Sequence, residues 1–412
     1  MSTLTVSPAP VPEKDRPAIL KVTGWVVFFI ALIAVFTFLL HTFFGSHPMG
    51  ADFYTFWLAT RSTFVDGKNP YSTEVTLESQ LGIYGRPATP DEDQVAFAYP
   101  PYSMLALLPV AWMDYGWAEA YWMALNVLLI LAVFFFAFPH APRWLVITYL
   151  LFYPVTFGVL LGNFVVTIGT LLLFFYGRFV ERHDPPPWLQ VIMGICLAWS
   201  TCKPQFIWLL IIVVLLVSWR QRYHWLLGSF FIALAVMVGI SFLMVPAWPM
   251  QWVTRVGEYS HYVQSSPAIS QMLAEFLPMN FAMIITLVLA LAAVLLSLML
   301  IRKWWQGNVN GLFLFAWAGF LTYFFHLHGI SYEQLSFLVP LACWAAMQTT
   351  KPTRQTILFW FIPLVFSWAI FVVSKWYIPA ADKWPVIYNL FFLIWLYRSQ
   401  PKTTIAAAPE AA

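Results

Sequence analysis

Charge is scarce in this chain: Asp, Glu, Lys and Arg make up 9% of its 412 residues, where soluble domains carry roughly a quarter. That scarcity excludes an ordinary water-soluble globular protein. The net charge of +3 says little, because what matters is where the charges lie; no nucleic-acid partner is expected. Cysteine is rarer still. Cys196, Cys202 and Cys343 lie in or beside apolar runs, which suits buried thiols, excludes a disulfide framework and offers no metal-site spacing. The redox compartment therefore stays open. Also missing are a glycine-rich phosphate loop, a Gly-x-Ser-x-Gly elbow, a His-Glu-x-x-His pair and the internal repeat of an inverted-repeat carrier.

What the chain has in quantity is apolar surface: 61% hydrophobic and 19% aromatic residues. Apolar runs of about 20 residues, the length that crosses a hydrocarbon core of roughly 30 Å, recur from about 23 to 397. They lack the alternation of barrel strands, so the fold class is an all-α polytopic membrane protein. The first run, 26–44, has no closely following Ala-x-Ala site and reads as a retained helix. Helices are expected near 23–44, 115–138, 144–161, 163–180, 188–202, 205–219, 224–246, 279–301, 311–327, 334–348, 355–374 and 384–397. These are twelve spans forming one transmembrane domain over 21–398. Residues 1–20 and 399–412, rich in Pro, Ala and Thr, are expected to be disordered.

Charge placement gives the sidedness. Of the 21 basic residues, 14 fall in breaks on one side, among them Arg143, Arg178, Arg182, Arg220, Arg222, Arg302, Lys303 and Arg354. By the positive-inside rule that side and both termini are cytoplasmic. The long segments 45–114 and 247–278 then lie outside the cytoplasm. The first of these, with the adjoining Glu119, holds half of the 18 acidic residues, so chemistry is expected at that face.

Asp52 stands at the start of an amphipathic pattern carried by Phe53, Trp57, Ala59, Phe64 and Val65, which suits a helix lying at the interface. A carboxylate there is either a helix N-cap or a functional group held by backbone N–H groups. A second short helix is expected over 102–113, after Pro100-Pro101, with Trp112, Tyr115, Trp117 and Tyr121 as belt aromatics. Lys203 lies between two apolar runs, where an ionisable residue is a functional candidate or a snorkelling cation. In His326-Leu327-His328-Gly329-Ile330-Ser331-Tyr332-Glu333 the paired histidines lack an acidic or thiol partner at ligand spacing, so no metal is expected. The mixture of Trp248, Trp252, Arg255, Glu258, Tyr259, His261 and Tyr262 fits a carbohydrate or headgroup site and an interface helix equally.

Three patterns in order carry a resemblance: Gly50-x-Asp52-Phe53 with Ala59, then Gly67-Lys68-Asn69-Pro70-Tyr71, then Tyr99-Pro100-Pro101. Together they resemble family 87 of the GT-C superfamily of glycosyltransferases, a group that includes polyprenyl-phosphate-mannose-dependent α-mannosyltransferases. The resemblance covers roughly 20–350. It implies a GT-C fold with two interfacial helices in the first extracytoplasmic loop. The implied reaction is inverting transfer of a hexose, mannose in the first instance, from a polyprenyl-phosphate donor to a lipid or glycan acceptor hydroxyl. No cofactor is implied, and membrane lipids are the remaining partners. Asp52 takes the place of the catalytic Asp, and a base within reach of the acceptor hydroxyl is what the chemistry requires. Lys203 is the expected partner of the donor phosphate, whose charge grows as the glycosidic bond breaks. His328, Tyr332 and Glu333 are expected to hydrogen-bond donor phosphate or sugar, with Arg61, His326, Tyr99 and Asn69 as further substrate contacts. Asn163, where relatives often have Gln after Gly, departs from the pattern, and no role is carried onto it. The alternative from another class is a multi-pass transporter or flippase of a lipid or small solute, which would place ionisable residues near mid-membrane; here they gather at one face.

Overall fold

A computed structural model describes residues 16–44, 49–182, 185–262, 266–327, 331–348 and 351–399. His328 and most of the two expected disordered ends lie outside the described residues. Residues 16–20, expected to be disordered, begin the first helix. All regular structure among the described residues is helical. In chain order the helices are α1 (Arg16–Phe44), α2 (Ala51–Phe64), α3 (Thr73–Tyr84), a 3-10 helix (Pro101–Val110), α4 (Tyr115–Ala137), α5 (Arg143–Leu150), α6 (Tyr153–Leu161) and α7 (Phe164–Phe175). They continue with α8 (Pro187–Ser200), α9 (Pro204–Arg220), α10 (His224–Met244), α11 (Trp248–Tyr262), α12 (Ala268–Ala274), α13 (Met279–Trp305), α14 (Gly311–Phe324) and α15 (Leu335–Ala346). The last are α16 (Arg354–Thr356), α17 (Ile362–Trp376) and α18 (Pro385–Arg398).

Among the described residues six helices are long and apolar enough to cross a membrane, counting Phe164–Glu181 and Arg354–Trp376 each as continuous, and seven if α5 and α6, bent by 57° at their junction, make one span. The remaining expected spans are shorter. α8 and α14 have 14 residues each, about 21 Å at 1.5 Å per residue, less than the hydrocarbon thickness. Pro187 and Pro204 open α8 and α9 at their first turns, where a missing N–H costs nothing. α1 and α13 turn apolar side chains such as Phe28, Phe38, Leu287, Leu291 and Leu295 outward. Apolar exposure on that scale marks a lipid-facing surface, whereas α7 and α15 are buried nearly all round.

The first long loop folds differently from expectation. α2 buries one face, including Phe53, Phe56, Trp57, Leu58 and Ala59, and packs it on α3, α4 and the 3-10 helix. α3 was not expected. Ser72 caps it by accepting the Val75 N–H, and Gly85, at φ +69°, ends it, the left-handed residue that commonly closes a helix. The expected helix after Pro100 is 3-10 in form, with Tyr102, Met104 and Leu107 buried. In the second long loop, α11 crosses to the first loop through three bonds. Asn69 donates to Gln251 (3.1 Å), Trp252 to the Ala98 carbonyl (3.1 Å) and Arg255 to the Tyr71 carbonyl (2.6 Å). Outward-facing Met250, Val253 and Val256 leave α11 with an apolar outer face.

Candidate active site

Three helix junctions meet the start of α2 at one end of the bundle. Gly162 ends α6 at φ +68°, and Asn163 caps α7 by accepting the Val165 N–H. Lys203 precedes Pro204, which pushes it out of the helical region (φ −117°, ψ 72°) and makes it the cap of α9. The chain between α14 and α15 supplies His326, Tyr332 and Glu333. Each side chain is placed where a helix has to stop.

Asp52 is not the N-cap of α2. That residue is Gly50, which has no side-chain cap, and Asp52 lies in the first turn. The capping is done from another helix: Glu119, buried on α4, accepts the N–H of Met49 (2.8 Å) and of Gly50 (2.5 Å) and the Tyr115 hydroxyl (3.1 Å). Tyr115 also donates to the Gly50 carbonyl. With the helix end satisfied by Glu119, the Asp52 carboxylate is free to face the junctions.

There it accepts the Asn163 amide at 2.8 Å, and the Tyr332 hydroxyl acts on it from the side. Lys203, 2% exposed, donates to the other end of the Asn163 amide (3.2 Å), pairs with Glu333 at 3.0 Å and rests 5.0 Å from the centre of the Tyr332 ring. His326 meets the second Glu333 oxygen at 2.9 Å, and its carbonyl accepts the Ala268 N–H. Tyr99 comes within electrostatic reach of Asp52 and Glu333 and packs edge-on to Phe56 and Phe164, which stack at 4.2 Å beneath it. Burial alone would raise the Glu333 carboxyl, but His326 and Lys203 outweigh it and hold it down at about 2. Asp52 keeps part of its surface accessible. Burial pushes its carboxyl above the ordinary aspartate value, against the Asn163 bond, the Lys203 charge and the Tyr332 hydroxyl.

Asp52, Lys203, Tyr332, Glu333, His326 and Tyr99 thus form one cluster. Arg61 does not join it: nine residues along α2 from Asp52, about 13 Å by helical rise, its guanidinium lies over Trp57 at 5.7 Å. Asn69 also stands apart, bonded to Tyr71 and Gln251. Asn163 joins Asp52 to Lys203, and sequence reasoning passed it over because it was weighed as a departure from a motif. Its signal was chemical, since an amide donates at one end and accepts at the other. Asp93 was missed as well, and Tyr259 had been weighed only within the mixed outer segment that fits a site and an interface helix equally. Asp93, within electrostatic reach of Asp52, accepts the Val95 N–H at 2.9 Å and supports Val95 at φ +43°, a strained conformation for a β-branched residue. Tyr259 of α11 comes within electrostatic reach of Asp93, Glu333, Tyr99 and Asp52.

The Gly162 turn leaves no room for a side chain. A Cβ there would stand 2.5 Å from the Cβ of Phe53, the neighbour of Asp52, and the left-handed backbone would add about 1–2 kcal/mol to an overpacking cost of about 1–3 kcal/mol. Gly162→Ala is expected to lower the thermal unfolding midpoint and to impair turnover; an unchanged midpoint with full turnover would contradict this close fit.

No curated protein and no solved structure matches the chain. Residues 97–328 match Glycosyltransferase family 87, a shorter stretch than the resemblance implied. Asn163, Lys203, His326 and Tyr99 fall inside it, while Asp52, Arg61, Asn69, Tyr332 and Glu333 fall outside. As the matched stretch is more than half of the chain, this membrane protein belongs to glycosyltransferase family 87.

Proposed function

We propose that the protein transfers a hexose, mannose in the first instance, from a polyprenyl-phosphate donor to a hydroxyl of a lipid or glycan acceptor, with inversion and with Asp52 as general base. The observation that carries this reading is the Asp52 carboxylate: part-exposed, while its Asn163, Tyr332 and Lys203 neighbours are buried and fix it in place. In the reaction the acceptor oxygen attacks the anomeric carbon and its proton passes to Asp52. The bond from that carbon to the phosphate oxygen breaks, and polyprenyl phosphate leaves. Lys203 has three N–H donors. Two meet Glu333 and Asn163, and the third, on the Tyr332 side, is the one this reading assigns to the leaving phosphate. Tyr332, Glu333, His326 and Tyr99 position these groups.

The basic residues at the opposite end of the bundle support an extracytoplasmic site with cytoplasmic termini. The same reading counts the shorter helices α8, α9, α14, α15 and α18 with the long ones as twelve crossings of a GT-C fold. The test uses purified full-length protein, radiolabelled polyprenyl-phosphate mannose and extracted membrane lipids. Label should move to a lipid or glycan product; transfer only from a nucleotide sugar would overturn the donor assignment.

A pH profile follows from the raised Asp52 carboxyl. A base works only when unprotonated, so a raised value means that activity is lost at a higher pH on acidification than an ordinary aspartate, near 3.9, would give. The acid limb of kcat/KM is expected above that value, and an acid limb at or below it would contradict the assignment.

A further inference from the structure

At the end of the bundle opposite Asp52, the helices part around a cavity of about 560 Å³, within the size range of small-ligand sites. Its walls are the far ends of helices that build the Asp52 cluster: the segment after α7, the last turn of α9 and the first turn of α14, together with the end of α13. Two backbone features shape it. The chain after α7 widens into a π-helix, Tyr176–Glu181, a rare form found often at functional sites. After Gln221, Arg222 takes φ +59°, which a non-glycine residue seldom adopts.

The cavity holds two opposite charges that do not meet. The Arg220 guanidinium lies on the Trp304 ring at 4.6 Å and donates once, to the Trp304 carbonyl at 2.7 Å; its other N–H groups find no acceptor among the described residues. Glu181 lines the same cavity and makes no ion pair or hydrogen bond among the described residues. An occupant that satisfies both carries an anion and a cation held apart. The surroundings are those of a headgroup region: Trp219 and Trp305 are exposed, and Arg178, Arg182, Arg302 and Lys303 lie at this end. Aromatic side chains and clustered basic residues mark the depth of lipid phosphates.

We propose that this cavity binds the phosphoethanolamine headgroup of a membrane phospholipid, with the phosphate on Arg220 and the ammonium on Glu181. A planar guanidinium already fixed by Trp304 suits a phosphate, and an exposed carboxylate suits a primary ammonium better than a quaternary one, which has no N–H to give. This is a site apart from the Asp52 cluster and does not depend on the transfer reaction proposed there.

The test is native mass spectrometry of the full-length protein titrated with phosphatidylethanolamine, phosphatidylglycerol and phosphatidylcholine of matched acyl chains. The ethanolamine lipid should bind about tenfold more tightly than the other two. Arg220→Gln should weaken its binding by about tenfold or more, while Glu181→Gln should bring it down to the level of the glycerol lipid. Glu181 is exposed, so its variant leaves the fold intact, and the unfolding midpoint of Arg220→Gln separates a lost site from a lost fold. Soluble glycerophosphoethanolamine should compete, and inorganic phosphate at equal concentration should not. Equal binding of the three lipids, an Arg220→Gln variant that binds normally, or competition by phosphate alone would overturn the proposal.

Discussion

Replacing Asp52 by asparagine is expected to reduce sugar transfer by about 100- to 10,000-fold, the usual contribution of a positioned base, with donor binding and the unfolding midpoint unchanged. The exchange keeps the shape and leaves an amide oxygen for the Asn163 bond at 2.8 Å, but removes the group that takes the acceptor proton. Because Glu119 and not Asp52 closes the start of α2, loss of the carboxylate should leave the helix standing. The acid limb of the pH profile should disappear with it. Turnover within a fewfold of the native protein would dismiss Asp52 as the base, whereas loss of donor binding would move its role to the donor.

Lys203→Ala is expected to have the largest effect on stability, because it takes the lysine ammonium away from the buried Glu333 and leaves it beside His326. Breaking a buried pair from one side costs about 3–5 kcal/mol. The sign with pH follows from the depressed Glu333 carboxyl. Its stabilising contribution is present above the ordinary glutamate value, near 4.3, and fades as pH falls toward 2. In Lys203→Ala that contribution shrinks, so the variant should lose its excess instability on acidification, when Glu333 takes up a proton. A double variant, Lys203→Met with Glu333→Gln, should recover much of the stability. If it recovers the fold but not donor affinity, Lys203 meets the donor itself; recovery of both would confine Lys203 to holding Glu333 and Asn163.

Ionisable residues beside apolar runs were legible in the sequence, since a charge at a membrane surface is conspicuous whatever surrounds it. Asp52 and Lys203 were found in that way, and Glu333 through the family resemblance. Their mutual distances were not legible, because Asp52 and Glu333 are far apart in the chain and meet only after α7, α9 and α15 have packed. Arg61 shows the reverse error: close in sequence to Asp52, it is carried away along α2. α3 escaped notice because Thr73–Tyr84 is short, polar and hardly amphipathic. The long spans were legible from hydropathy. The shorter helices stand within a few residues of where their apolar runs put them, but hydropathy does not say which of them cross, because 14 residues reach only about 21 Å.

The helix ends around Asp52 carry a further electrical consequence. α2 begins beside Asp52, α7 at Asn163 and α9 at Lys203, so three helix dipoles turn their positive poles toward one small volume, each equivalent to roughly half an elementary charge. The side chains there, two carboxylates against one lysine and a histidine, do not by themselves favour an anion. The backbone does, and its share of the potential is set by the fold: no change of pH titrates it, and no single side-chain replacement removes it.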